Sequence, residues 1–364
     1  MWLEKKASDI VFIAILIHPF LMFMTRLDLL PRSIVELFYI ATAAMVLLFF
    51  LQEKLFVLLL IAGIILFRFI LVESVYLAIY DLAMISLLIF YSNFHLALNR
   101  LKFAIFFLII IEFCFGLYSY MSGDLVDFNR VGGAFPSSMH FAFATAGLSF
   151  ALFFSNIKYK LLFFAILILS AFLTGSRSAM LSVIVLSYFV IMERFGLVKS
   201  SLIFLTGLIV FLIGEINFRS LSYIEGSDSV RFSGYLEWFE RQDATSFLLG
   251  RGRYFLGSIG VVNNAEDSLI TESSVLTYIE AYGVLSAFLI LLAPYLAFYK
   301  YLNFKIFFLS GTLFFLLSFL SPFLETPSIL FVNVVLIMSA LKLSASKECE
   351  LRVTGKKKYL TENI

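Results

Sequence analysis

Charge is what this sequence has least of. Only 14% of its 364 residues are Asp, Glu, Lys or Arg, whereas a water-soluble fold needs roughly 25% to cover its surface. Two cysteines, Cys114 in an apolar run and Cys349 in the tail, provide neither a disulfide framework nor a cysteine metal cluster. Six Pro and 19 Gly against 45 Phe and 17 Tyr exclude collagen-like and disordered classes. The formal net charge of +2 offers nothing to nucleic acid. No G-x-x-x-x-G-K-[ST] nucleotide motif occurs, and no internal repeat of 20–50 residues is visible. What is abundant is apolar: 62% of residues are hydrophobic and the mean hydropathy is +1.00. The composition is that of an all-α, polytopic helical membrane protein.

A spanning helix takes about 20 mostly apolar residues, each adding about 1.5 Å across a core about 30 Å thick. Twelve segments qualify: 9–25, 34–51, 55–71, 75–91, 103–120, 138–155, 161–176, 178–193, 201–216, 273–299, 306–321 and 328–343. Lys5 and Lys6 precede the first, but no small-residue cleavage site follows Met24-Thr25-Arg26, so it reads as a span and not as a signal peptide. The segments make one transmembrane domain over 1–343, followed by a basic tail, 344–364.

Lys and Arg set the orientation. With the N-terminus in the cytoplasm, every lysine falls inside, and the tail is cytoplasmic too. The outer cations are all arginine: Arg26, Arg32, Arg68, Arg130, Arg177, Arg219, Arg231, Arg241, Arg251 and Arg253. Arginine is the better fork for phosphate and carboxylate. The inner loops are too short for a nucleotide-binding domain. The longest polar stretch is an outer loop at 217–272, with a smaller one at 121–137. The Gly-rich run Gly250-Arg-Gly-Arg-Tyr-Phe-Leu-Gly257 lacks the P-loop lysine and lies outside. The chemistry therefore belongs to the outer face or the membrane, without ATP.

In the large loop, residues 229–242 have helical periodicity. Phe232, Leu236 and Phe239 share a stripe suited to the bilayer surface, while Arg231, Tyr235 and Trp238 share the neighbouring one. A guanidinium in line with two aromatics can bind a phosphate and stack on a sugar face; the same spacing also fits a surface helix with a snorkelling arginine. Beyond it come Arg251, Arg253, and then Glu266, Asp267 and Glu272 just before a span. Carboxylates at a helix mouth are commonly solvated. Beside phosphate-binding arginines they also meet the needs of glycosyl transfer from a lipid diphosphate: arginines hold the leaving group and a carboxylate deprotonates the sugar hydroxyl.

Outside the loop, Thr174-Gly-Ser-Arg177-Ser-Ala179 separates two apolar stretches at the outer surface. Arg130 to His140 forms a Gly-rich outer turn in which His140 reads as interfacial, and His18 before Pro19 reads as a kink residue. Asp81, Glu112 and Glu280 lie within spans, roughly 9–12 Å deep. Intramembrane acids are functional suspects, here for a transporter.

These pieces resemble the O-antigen polymerase and ligase superfamily, whose members transfer glycans from undecaprenyl diphosphate on the periplasmic face. Thr174-Gly-Ser-Arg177-Ser-Ala is similar to the family's Ser-Arg segment at an outer helix end. Arg231, Trp238 and Gly250-Arg-Gly252 are similar to its Arg…Trp…Gly-x-Gly loop, and Arg241 and Gly252 fit an Arg-x10-Gly spacing. Glu272 to Gly283 resembles the entry into the next span, with Glu272-Ser273 where ligases place His-Asn. That departure favours polymerase over ligase. The resemblance implies a metal-independent, C-type membrane glycosyltransferase without a cofactor. Its diphosphate would be bound by Arg177, Arg231, Arg241, Arg251, Arg253 and Arg130. Tyr235 and Trp238 would stack on sugar, and the base would be Glu272, with Asp267 and Glu266 as alternatives. Implied partners are lipid-linked glycan donor and acceptor, the bilayer and a chain-length regulator. The rival class is a lipid-linked oligosaccharide flippase or other transporter, which shares the hydropathy but usually keeps short loops.

Overall fold

The computed structural model describes residues 2–42, 45, 63, 96–126, 131–155, 157–202, 205–206, 235–250, 275–276, 279–280, 282–285, 287–288 and 328–344. The expected spans at 55–71, 75–91 and 306–321 lie essentially outside these residues, and those at 34–51, 201–216 and 273–299 fall only partly within them.

The regular elements are helical. They are α1 (Trp2–Arg26), α2 (Leu98–Ser122), α3 (Ser138–Phe154), α4 (Lys160–Thr174), α5 (Arg177–Phe195), the short α6 (Ala244–Leu249) and α7 (Ser328–Ser344), with further helical stretches at 32–42 and 235–240. Two of these, Lys6–Arg26 and Leu98–Ser122, are long and apolar enough to cross a membrane; α3, α4, α7 and Ala179–Met192 within α5 are shorter apolar helices.

Where an expected span is described, its apolar run sets the helix closely, and the helix overshoots where polar residues find partners. Helix α2 begins at Leu98 instead of 103 because Arg100 pairs with Asp9 of α1 at 2.5 Å, so the charged first turn is held in place. Helix α1 runs through Pro19. Gly175, at φ 63°, ends α4, and the Thr174 hydroxyl accepts from the Ser176 backbone N–H at 3.0 Å. That tight turn sends α5 back along α4 from its first residue, Arg177.

Helix α3 is buried almost all round and packs against α2, α4 and α5. Its small residues admit close neighbours: a Cβ at Gly147 would overlap the Asn333 amide of α7, whose Nδ2 donates to the Phe143 carbonyl at 3.2 Å. Along the outside of the bundle Ile13, Phe106, Leu162 and Leu181 are exposed, whereas the polar residues Glu112, Ser119, Ser170 and Thr174 point inward. This is the reverse of a water-soluble surface.

Polar contacts also fix directions. Asp9–Arg100 joins the starts of α1 and α2, and Arg26 joins their ends, so the two helices run parallel. Leu96, just before α2, donates to Ser339 late in α7 at 2.9 Å, while Ser328 at the start of α7 reaches Glu36. Helix α7 is therefore antiparallel to α1 and α2. If all three cross a bilayer, parallel α1 and α2 need an odd number of crossings between them, and the sequence supplies three candidates.

Candidate functional site

The loop stretch 235–240 is a short helix that ends in a turn at Arg241 and is followed by α6, whose N-cap is Asp243. The Asp243 carboxylate accepts from the Ser246 backbone N–H at 2.6 Å and from its hydroxyl. The amphipathic pattern decides how this unit sits. Leu236 and Phe239 are exposed, as the outward stripe requires, while Trp238 is 2% exposed and packs with Tyr235, Phe247, Leu276 and Ile279.

The polar end of Trp238 faces Glu280. Its indole Nε1–H donates to Glu280 Oε2 at 3.0 Å, and Gln242 Nε2 donates to the same oxygen at 2.7 Å. Glu280 is 3% exposed. A carboxylate accepting two N–H donors in a buried setting makes stronger bonds than neutral pairs do. Close by, Gly283 has φ 76°, and a Cβ there would overlap the Leu248 carbonyl. The loop helix, α6 and the described helical residues around Glu280 and Gly283 are thus locked together by one carboxylate, one indole and one glycine.

The expected site residues divide. Trp238 and Tyr235 share an inward-turned stripe, with Trp238 bonded to Glu280. Arg241 is exposed and pairs with Glu237 one turn earlier. Arg177 begins α5, and its side chain lies outside the described residues. Arg130, Arg231, Arg251, Arg253, Glu266, Asp267 and Glu272 also lie outside them, as does Asp81. Gln242 carried no sequence signal: its partner is 38 residues away. Among the described residues, no group of three or more His, Cys, Asp or Glu is placed to hold a metal ion.

A second polar cluster forms where the end of α1 and the starts of 32–42, α3 and α7 meet. Arg26, its side chain 4% exposed, donates to Ser119 Oγ at 2.8 Å and to the Gly133 carbonyl, and pairs with Asp124 at 2.7 Å. It pins the turn before α3. Glu36 accepts from the Ser328 backbone N–H at 2.9 Å and its hydroxyl at 3.1 Å, capping α7. Arg32 lies 3.7 Å from Glu36, and its Nη2 is 3.4 Å from His140 Nε2. His18, deeper in α1, faces Tyr39 at 3.1 Å, and Tyr39 donates to the Ala14 carbonyl at 2.9 Å. Both histidines are buried, His140 at 9% exposure. His140 is thus set inside the cluster and not out on the surface, and His18 is a hydrogen-bonded core residue.

No family model and no solved structure matches the chain. Among curated proteins, a protein of Shigella flexneri named O-antigen polymerase is 29% identical over 228 residues. The match takes in 61% of this chain and 56% of that relative, so it spans little more than half of the relative's length. The resemblance borne by Arg177, Arg231, Trp238, Gly250 to Gly252 and Gly283 thus has a counterpart in similarity to a protein that carries the name O-antigen polymerase.

Proposed function

We propose that this protein is a membrane glycosyltransferase that polymerises undecaprenyl-diphosphate-linked repeat units into surface polysaccharide. The observation that carries the reading is the 29% identity over 228 residues to an O-antigen polymerase. The apolar outward faces and the two span-length helices support membrane residence. In this reading twelve spans place both termini in the cytoplasm of a bacterial inner membrane, and 217–272 face the periplasm.

Arginine forks at Arg177, Arg231 and Arg241, with Arg251, Arg253 and Arg130, hold the diphosphate of the donor, whose departure they favour by charge. Glu272 takes the proton of the acceptor hydroxyl, with Asp267 and Glu266 as its nearest substitutes. The bond from the donor sugar to its diphosphate breaks as the new glycosidic bond forms. The Glu280 contacts support this assignment of roles by holding the arginine-bearing loop against the following span. Trp238 then serves as the anchor of the loop, and Tyr235, half-buried beside it, is the better placed of the two to meet a sugar. The reaction as written needs no metal ion, so EDTA leaves it intact.

A strain lacking the protein tests the function. Surface polysaccharide capped with a single repeat unit is expected. Loss of all surface glycan indicates the flippase or ligase reading instead.

A further inference from the structure

The loop helix at 235–240 has three sides. At about 100° per residue, Tyr235 and Trp238 share one, Leu236 and Phe239 the next, and Glu237, Glu240 and Arg241 the third. The first side is packed: Trp238 rests on Leu276 and Ile279 and bonds Glu280. The third is polar, with Glu240 exposed and Arg241 paired to Glu237. Between them the apolar side is open. Helix α6 repeats the division, for Phe247 joins the packed cluster while Leu248 and Leu249 do not. Leu236, Phe239, Leu248 and Leu249 are each 49–57% exposed. So many large apolar side chains on one short unit mark an interaction surface, because water would not tolerate them well.

The height of the unit identifies what covers it. Gly283 lies so close to the Leu248 carbonyl that a Cβ would overlap it, which ties the end of α6 to that level of the following helix. At the same level the helix turns apolar. No charged residue occurs between Glu280 and Lys300, and Leu285 and Phe288, just beyond Gly283, are exposed. An exposed apolar surface level with the outer end of a span borders headgroups and acyl chains. A helix packed on one side, apolar on the next and charged on the third suits the corner where protein, lipid and water meet.

We propose that the helix at 235–240 and α6 are seated in the outer leaflet of the bilayer, a placement that rests on the protein's membrane residence. Leu236, Phe239, Leu248 and Leu249 lie among the upper acyl chains, and Glu240 and Arg241 face water. The partner is ordinary membrane lipid. In sequence α6 leads directly into Gly250-Arg251-Gly252-Arg253, so its seat fixes the height at which the chain enters this arginine-bearing stretch.

The test is depth quenching of an environment-sensitive NBD label on single cysteines in the monodisperse full chain, carrying Cys114→Ser and Cys349→Ser, in phosphatidylcholine nanodiscs. Labels at Phe239→Cys and Leu249→Cys are expected to shift to the blue, to be quenched by lipid bearing a nitroxide high on its acyl chain, and to lose quenching by aqueous iodide. A label at Glu240→Cys, on the polar side, should show the reverse, and one at Leu285→Cys should be quenched by the lipid. If iodide quenches Phe239→Cys and Leu249→Cys as it does Glu240→Cys, while Leu285→Cys stays lipid-quenched, the seat is overturned and membrane residence stands. Protection of both positions from both quenchers would show that another part of the protein covers the face, and overturns the seat as well. Should iodide and not lipid quench Leu285→Cys, the membrane assignment of that helix fails and the seat fails with it.

Discussion

Two carboxylates, Glu280 buried and Glu36 half-buried, do comparable work at different places. Glu280 gathers Trp238 and Gln242 from the loop, and Glu36 gathers the N-terminus of α7. Each receives two hydrogen bonds from a distant segment, but the donors differ. At Glu280 both are side chains, Trp238 from the short helix 235–240 and Gln242 from just after it, so the carboxylate holds that unit in place. At Glu36 both come from one serine at a helix start, so the carboxylate closes the bundle and leaves the neighbouring Arg32 half exposed. A carboxylate that binds side chains positions a loop; one that caps a helix fixes where that helix starts.

The comparison breaks most severely at Gly283. Gly283→Ala forces a side chain into a left-handed backbone and onto the Leu248 carbonyl, costing about 3 kcal/mol or more. The loop should undock, and polymer should vanish while the bundle stays folded. Normal polymer length from this variant at parental protein level would show that docking is dispensable.

Arg26→Ala strikes the other region. It removes charge-assisted bonds to Ser119 and Asp124 and frees the turn before α3, a loss of about 2–3 kcal/mol. Thermal unfolding followed by size exclusion should register a clear drop. An unchanged midpoint would mean that Arg26 does not brace the bundle.

Glu280→Gln sharpens the contrast. An amide oxygen in the place of Oε2 still accepts both N–H groups but without charge, a loss of about 1–2 kcal/mol. Activity should fall more than bundle stability does, and an equal fall in both would merge the two regions into one. The smallest stability effect belongs to Arg241→Ala. Its exposed pair with Glu237 is worth about 0.3–0.5 kcal/mol. If Arg241 binds diphosphate, polymer length shortens although stability barely moves; full-length polymer would remove it from the site.

Much of the helical framework was legible because long apolar runs dictate it. The expected 161–176 and 178–193 became α4 and α5 within a residue or two, split at Gly175 where the small residues allow a sharp reversal. The loop stripe carrying Phe239 was readable from its period and is exposed. What the sequence did not disclose depends on long-range pairing. Glu280 looked like an intramembrane acid of a transporter, but its partner Trp238 is 42 residues away. His140 and Arg32 are 108 residues apart, and Glu36 and Ser328 are 292 apart. No periodicity reports such contacts. Trp238, expected to stack on sugar, is turned inward, where its ring packs with Leu276 and Ile279 and its indole N–H meets Glu280.

The most direct measurement of the central claim is polymer formation by the purified full chain in nanodiscs from purified lipid-linked repeat units, with Glu272→Gln in parallel. The account predicts a ladder of lengthening glycans from the parent, unaffected by EDTA, and a strongly reduced turnover in Glu272→Gln with lipid binding retained. Repeat units left unjoined by a monodisperse, diphosphate-binding parent would contradict it.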